Sequence, residues 1–168
     1  MSSLMGNGPV EFSRGFEKLL EEHVVLREQL NELLQMVQLL DKQDEKAETF
    51  AALTGKVTAF YKELETHSEK EENVLFPMLE SYIGKSGGPI AVMEYEHEQA
   101  KALIQAFLTR AVRGATDEEI LSHSMLVSEA HSLLISHFMK EENVLFPMGE
   151  RLFSDSEKEE LFVKITKQ

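Results

Sequence analysis

Residues 67–80 read HSEKEENVLFPMLE, and residues 137–150 read HFMKEENVLFPMGE. Eleven of these fourteen positions are identical at an offset of 70, which neither chance nor helical periodicity requires. A weaker repeat links the dipeptide EH at residues 22–23 to the same dipeptide at residues 96–97, at an offset of 74. The sequence therefore indicates a duplicated helical hairpin, in which each half carries one lone histidine and one His-x-x-x-Glu motif.

Apolar residues spaced three and four apart predict long amphipathic helices around these motifs. The predicted helices cover residues 11–40, 45–83, 89–113 and 117–151, with a short closing helix over residues 155–165. Thr116 with Glu119, and Ser154 with Glu157, have the spacing of capping boxes. Pro77 lies inside the second helix and predicts a kink or an end nearby. The fold class expected is all-α, an antiparallel up-down-up-down four-helix bundle with a short C-terminal helix.

Length and composition are typical of one globular domain. The chain has 168 residues, of which 42% are hydrophobic. Residues 1–10 are rich in Ser and Gly and are expected to form a flexible N-terminal tail, followed by a single domain over residues 11–168. The tail has neither the basic nor the apolar region of a secretion signal, and no apolar run approaches the ~18 residues of a membrane span. We therefore expect a cytoplasmic protein with no membrane partner.

Charge and cysteine usage exclude several classes of function. The net charge is −13, so the surface repels phosphate backbones and nucleic acid is not an expected partner. The sequence contains no cysteine. This excludes disulfides, thiol catalysis, zinc ribbons and protein-ligated iron–sulfur clusters. Any metal must use His, Asp, Glu or weaker oxygen ligands.

Besides His123, six polar residues interrupt the apolar stripes, namely His23, His67, Glu71, His97, His137 and Glu141. Residues four apart on a helix project from one face, about 6 Å apart along the axis, so each His-x-x-x-Glu pair points the same way. In an antiparallel bundle the starts of odd helices lie beside the ends of even ones. Counting from the helix ends then places all six residues in one layer.

This layer predicts a pair of metal ions. Burying an unpaired carboxylate costs several kcal/mol, and no lysine or arginine occupies the stripes at this level. Four imidazoles and two carboxylates suit two ions of iron or manganese, and zinc accepts most of the same ligands. Glu71 and Glu141 are placed to bridge the ions, with two histidines on each. Room is left for an oxo, hydroxo or water bridge and for a small exogenous ligand.

The pattern His…His-x-x-x-Glu occurs twice, and each copy carries the tail Glu-Glu-Asn-Val-Leu-Phe-Pro-Met. With these features the chain resembles the hemerythrin-like (HHE) cation-binding domain over about residues 12–153. The resemblance implies a non-haem di-iron centre, bridged by the two glutamates and by an oxo or hydroxo group. Family members handle dioxygen, peroxide or nitric oxide, or supply iron for iron–sulfur cluster repair. Oxygen carriers of the family have a histidine where this chain has Met93, and an aspartate in the last motif, spaced one residue further than Glu141. The chain therefore resembles the symmetric four-histidine, two-glutamate branch, which includes the repair proteins.

Two classes of function follow from the resemblance. The first is a metal-binding protein whose di-iron centre binds or senses dioxygen, nitric oxide or peroxide, or handles iron. The alternative is a di-iron redox enzyme that reduces peroxide or nitric oxide, or an iron–sulfur cluster repair protein. The repair proteins of this branch carry a cysteine-bearing N-terminal segment and this sequence has no cysteine, so cluster repair is the alternative here. The residues do not decide whether the protein is an enzyme.

Other polar residues have simpler interpretations. Glu94 lies three residues before His97, but ferritin-like sites use two such Glu-x-x-His motifs and only one is present. Glu94 is therefore a weak alternative ligand or an outer neighbour of the site. His123 lies on the stripe of the last long helix about 21 Å from the metal layer, where a structural role is expected. His131 lies off the stripe and is expected on the surface.

Overall fold

The computed structural model describes residues 10–86 and 88–167, and these ranges contain helices and no strand. Of the predicted N-terminal tail, only Val10 lies within the described residues. The helices are α1 (Arg14–Lys42), α2 (Ala47–Lys70), α3 (Phe76–Ile83), α4 (Pro89–Val112), α5 (Asp117–Lys140), α6 (Phe146–Leu152) and α7 (Asp155–Thr166). Two π-helical segments, Glu71–Leu75 and Glu141–Leu145, join α2 to α3 and α5 to α6. The prediction of an all-α fold is confirmed.

The long helices form a four-membered ring. Helix α1 packs against α2 and α5, and α4 packs against the same two helices. The predicted four-helix bundle is therefore correct, with α7 as an added helix that packs along α1. None of the described helices is both long enough and apolar enough to cross a lipid bilayer.

Local signals explain most helix ends. Thr116 and Ser154 both form the predicted capping boxes, with Glu119 and Glu157 respectively. Gly84 ends α3 with a φ of 71°, a left-handed conformation that glycine adopts without strain. Helix α1 starts at Arg14, three residues later than expected. Its N-cap, Ser13, donates its backbone N–H and its hydroxyl to Glu150 and stays extended.

The kink or end predicted near Pro77 is found, but not at the proline itself. Helices α2 and α5 end at Lys70 and Lys140, and a π segment leads from each of them into a new helical segment. Pro77 and Pro147 are each the second residue of a new helical segment. Proline cannot donate a hydrogen bond, and its ring disturbs the preceding turn. Just before each proline, the N–H of Phe76 or Phe146 donates to a carbonyl five residues back. The chain thus passes the proline through a π segment instead of a break.

Two apolar clusters fill the bundle. The larger cluster extends from Leu26 and Leu64 towards the Leu40 end of α1. The smaller cluster lies at the other end, where Phe16 and Leu19 pack with Leu161 of α7 and with the residues after each π segment. Helices α1 and α4 contribute to both clusters. Helices α2 and α5 contribute to the larger cluster, and the π segments and short helices that follow them contribute to the smaller one. The change from one cluster to the other falls at the predicted metal layer.

Candidate metal centre

The six sequence-predicted residues all lie in the layer between the two apolar clusters, and each is at most 3% exposed. They form two overlapping groups whose nitrogen and oxygen atoms lie within 4.8 Å of one another. One group, here called position A, contains His23 and His67, and the other, position B, contains His97 and His137. Glu71 and Glu141 belong to both groups.

The imidazoles all turn their Nε2 atoms toward the two carboxylates. In position A, His67 Nε2 lies 3.3 Å from Glu71 Oε2 and His23 Nε2 lies 3.2 Å from Glu141 Oε1. In position B, His97 Nε2 lies 3.1 Å from Glu71 Oε1 and His137 Nε2 lies 3.3 Å from Glu141 Oε1. Glu71 therefore turns one oxygen to each position, which is the orientation of a bridging carboxylate.

The buried atoms of this layer fit a metal better than they fit one another. Both oxygens of Glu71 and of Glu141 are buried without a hydrogen-bond partner, and so is Nε2 of His137. Leaving such groups unsatisfied in an apolar environment is costly, so an arrangement of this kind is expected only where something else binds them. Nitrogen and oxygen donors in this mixture suit iron, manganese or zinc. The donor set therefore fits a pair of transition-metal ions.

Electrostatics in the metal-free layer favour imidazolium–carboxylate pairs. Burial opposes protonation of His67, but attraction to Glu71 outweighs it and raises the pKa of His67 to about 10. Burial also opposes protonation of His97, but its close contact with the Glu71 carboxylate outweighs burial and raises the pKa of His97 to about 9. The pKa of Glu71 stays well below its usual range, because the pull of His67 and His97 exceeds the effect of burial. A metal ion that binds His67 and His97 must therefore displace protons from them.

The structure adds four outer carboxylates, one beside the Nδ1 atom of each histidine. Glu22 accepts a hydrogen bond from His67 at 2.8 Å and Glu96 accepts one from His137 at 3.0 Å. A carboxylate in this place fixes the ring so that Nε2 points inward with its lone pair free for a metal. Burial would raise the pKa of Glu22, but hydrogen bonds from His67 and Lys70 lower it.

Glu142 and Glu72 are the other two outer carboxylates, beside His23 and His97. In the sequence, Glu72 and Glu142 lie one residue beyond Glu71 and Glu141, at the edge of the apolar stripes or in solvent, and nothing in the stripe pattern singles out Glu22 or Glu96. A signal was available, because all four glutamates recur in both halves of the repeat although they lie off the apolar stripes.

The remaining candidates lie outside the metal layer. Glu94 contacts Lys85 at 3.5 Å, so the ferritin-like alternative finds no support among the described residues. His131 is paired with Asn31 at 3.0 Å. His123 is half-buried and belongs to neither metal-binding group.

Comparison with known proteins gives a family for this arrangement. The model of the hemerythrin HHE cation-binding domain matches residues 14–149. Proteins named iron-sulfur cluster repair protein YtfE, from Salmonella schwarzengrund and Salmonella typhimurium, are 35% identical to the chain. The matched region covers 75% of this chain and 63% of each relative, so the chain accounts for less than two thirds of the relatives' length. No solved structure matches. The chain belongs to the hemerythrin HHE cation-binding domain family.

Proposed function

We propose that this protein holds a non-haem di-iron centre and uses it to bind or sense a small ligand or to handle iron. His23 and His67 would bind one ion, His97 and His137 the other, and Glu71 and Glu141 would bridge them. The observation that carries the proposal is the pair of glutamates Glu71 and Glu141, whose four oxygens are buried without a hydrogen-bond partner and face the Nε2 atoms of the histidines. When bound, the ions supply Lewis acidity and redox capacity toward dioxygen, nitric oxide or peroxide.

The chain's own residues prepare this site in two ways. The outer glutamates orient the imidazoles, because a hydrogen bond at Nδ1 selects the tautomer that leaves Nε2 free. The apolar clusters on either side exclude water, so that unpaired oxygens in the layer gain more from a metal than they would in solvent.

The first experiment is the metal content of protein purified aerobically from iron-supplied cells, together with its visible spectrum. We expect two iron ions per chain, and absorption typical of oxo-bridged ferric pairs. His97→Ala should remove most of the metal, whereas the matched control His131→Ala should keep it, because His131 lies outside the layer. A parent protein that takes up no iron, even after reconstitution, would show that the layer is structural.

Iron–sulfur cluster repair is a second candidate, favoured by the name of the similar Salmonella proteins. The protein would then supply iron, as cargo, to a damaged cluster. We would incubate the iron-loaded protein with a [4Fe–4S] enzyme whose cluster has been damaged by nitric oxide. Recovery of that enzyme's activity beyond the level reached with equal free ferrous iron supports repair. Recovery equal to free iron leaves ligand binding as the function.

A further inference from the structure

Each of the four histidines faces a glutamate that also contacts a cation. The four chains of contacts are Arg27–Glu142–His23, Lys70–Glu22–His67, Lys101–Glu72–His97 and Lys140–Glu96–His137. The repeat relates the first chain to the third and the second to the fourth. The outer contacts of positions A and B should therefore match, and their differences are informative.

One matched pair differs in geometry. In position A, His23 Nδ1 lies 2.8 Å from Glu142 Oε2, and Arg27 holds both oxygens of Glu142 at 2.6 and 2.7 Å. In position B, His97 Nδ1 lies 3.4 Å from Glu72 and makes no hydrogen bond. The cation behind Glu72 is a lysine, 3.7 Å away.

The chemistry of the two cations accounts for the difference. A guanidinium presents parallel N–H groups that fit both oxygens of a carboxylate and fix its orientation. An ammonium is a point donor on a flexible stem, so it leaves the carboxylate free to turn. Arg27 thus locks Glu142 against His23, whereas Lys101 holds Glu72 only loosely.

Packing around the two positions differs in the same sense. The Phe138 ring stacks on His23 with centroids 4.4 Å apart, and the Arg27 guanidinium lies over the same Phe138 ring, 5.7 Å from its centroid. The residue at the equivalent position of the first hairpin is Ser68, whose buried hydroxyl has no hydrogen-bond partner. Position A is therefore enclosed by an aromatic ring that has no counterpart in the repeat.

We infer that the two metal positions are inequivalent, with the ion at His23 and His67 held more tightly and the ion at His97 and His137 released first. The inference rests on the proposed di-iron function. Arg27 and Glu142 act as positioning residues, since they fix His23 without touching the metal. Loss of such an outer contact typically lowers metal affinity by about 10- to 100-fold, so release from position B is expected to be at least tenfold faster.

Metal release to a chelator tests the inference. The full-length protein is loaded with two ferrous ions under anaerobic conditions, mixed with excess chromogenic ferrous chelator, and followed optically. We expect two phases of equal amplitude, one ion per chain in each. Arg27→Lys should speed the slow phase about tenfold, and Lys101→Arg should slow the fast phase. Lys56→Arg is the control, because Lys56 pairs with Glu32 away from the layer, and neither rate should change.

A second pair of variants identifies which ion leaves first. Glu142→Gln removes a locked contact and should speed the slow phase about 10- to 100-fold, whereas Glu72→Gln should change the fast phase only a few-fold. Thermal melting of the metal-free variants confirms that each one is folded. Two ions that leave in a single phase, or equal effects of the two glutamine variants, overturn the inference and leave the di-iron site intact. A parent protein that binds no iron overturns the proposed function itself.

Discussion

The two hairpins carry the same EENVLFPM tail in different surroundings. Val74 of the first tail is 4% exposed, whereas Val144 of the second is 52% exposed. The difference arises because α7 packs over the first π segment, and the chain provides no such helix for the second among the described residues. Identical sequence therefore gives identical local structure here, including the π segment, but not identical burial.

The residue that follows the tail differs between the two hairpins, at a place where the hairpins meet each other and α1. Leu79 of the first hairpin is fully buried, and its counterpart Gly149 lies against Phe16. A Cβ at Gly149 would lie 2.5 Å from Phe16 Cζ, so the second hairpin must omit a side chain where the first provides one. The repeat thus keeps the histidines and the inner and outer glutamates of the metal layer. It differs at Leu79 and Gly149, where the two halves share one apolar core.

Replacing either bridging glutamate should have the largest effect and should affect both halves alike. Because Glu71 and Glu141 each belong to both positions, Glu71→Gln and Glu141→Gln should each lower the iron content from two ions to fewer than one per chain. Metal analysis after gel filtration measures this. Glu94→Gln is the control and should retain full occupancy, since Glu94 contacts Lys85 instead. Retention of one full ion in either bridging variant would contradict the shared-ligand geometry.

Substitutions in the apolar core shared by the two hairpins should have the next largest effect, on the free energy of unfolding. Leu79→Ala leaves a cavity and should cost about 2–5 kcal/mol of unfolding free energy. Gly149→Ala forces Phe16 to move and should cost about 1–3 kcal/mol. Denaturant unfolding of the metal-free protein gives both values. Gly55→Ala is the control, because nothing lies within 4 Å of its Cβ, and it should stabilise α2 by about 0.5–1 kcal/mol. A neutral Gly149→Ala would show that the second hairpin tolerates the side chain of the first.

Each half contains a histidine whose raised pKa should make the stability of the metal-free protein depend on pH. Folding raises the pKa of His67 to about 10 and that of His97 to about 9, from 6.5. A group whose pKa is raised by folding stabilises the folded state fully below its unfolded-state pKa. That stabilisation is lost as the pH rises through its folded-state pKa. The melting temperature of the metal-free protein should therefore fall between pH 7 and pH 10. Imidazole NMR signals should show that both His67 and His97 keep their protons well above pH 6.5. A melting temperature that rises over this range would oppose the assignment.

The smallest expected effect concerns the two valines. Val74→Ala removes buried methyl groups, each worth about 0.8 kcal/mol, and should cost about 1–2 kcal/mol. Val144→Ala changes an exposed side chain and should stay within about 0.5 kcal/mol of the parent. Thermal unfolding of the two variants compares the halves directly. Equal losses would mean that Val144 is also covered in solution.

Much of this structure was predictable from the sequence because the signals are local or repeated. Apolar spacing gave the helices, and Thr116 and Ser154 marked two starts. The convergence of the six layer residues also followed from helix periodicity and antiparallel packing, although their role as ligands stays a prediction until metal is measured. The start of α1 depends on Ser13 meeting Glu150, a contact across 137 residues that no local pattern reveals.

The outer glutamates illustrate a different limit. Glu22 and Glu142 lie at the edge of amphipathic faces, where periodicity cannot separate a solvated carboxylate from one that contacts a buried histidine. Their partners come from other helices, and the geometry of Arg27 on Glu142 depends on side-chain rotamers. The repeat alone would have singled them out, because it preserves glutamates that packing does not need.

The assignment of ligands to halves bears on how such a site arises. Position A takes both of its histidines from the first hairpin, position B takes both from the second, and each hairpin supplies one shared glutamate. A single hairpin thus encodes half of the proposed two-ion site, and two copies of it contain all six proposed ligands. The proposed site is completed only where the two halves meet. Two copies of such a hairpin, brought together as the halves are here, would place all six side chains in one layer, and fusion into one chain then permits each half to diverge.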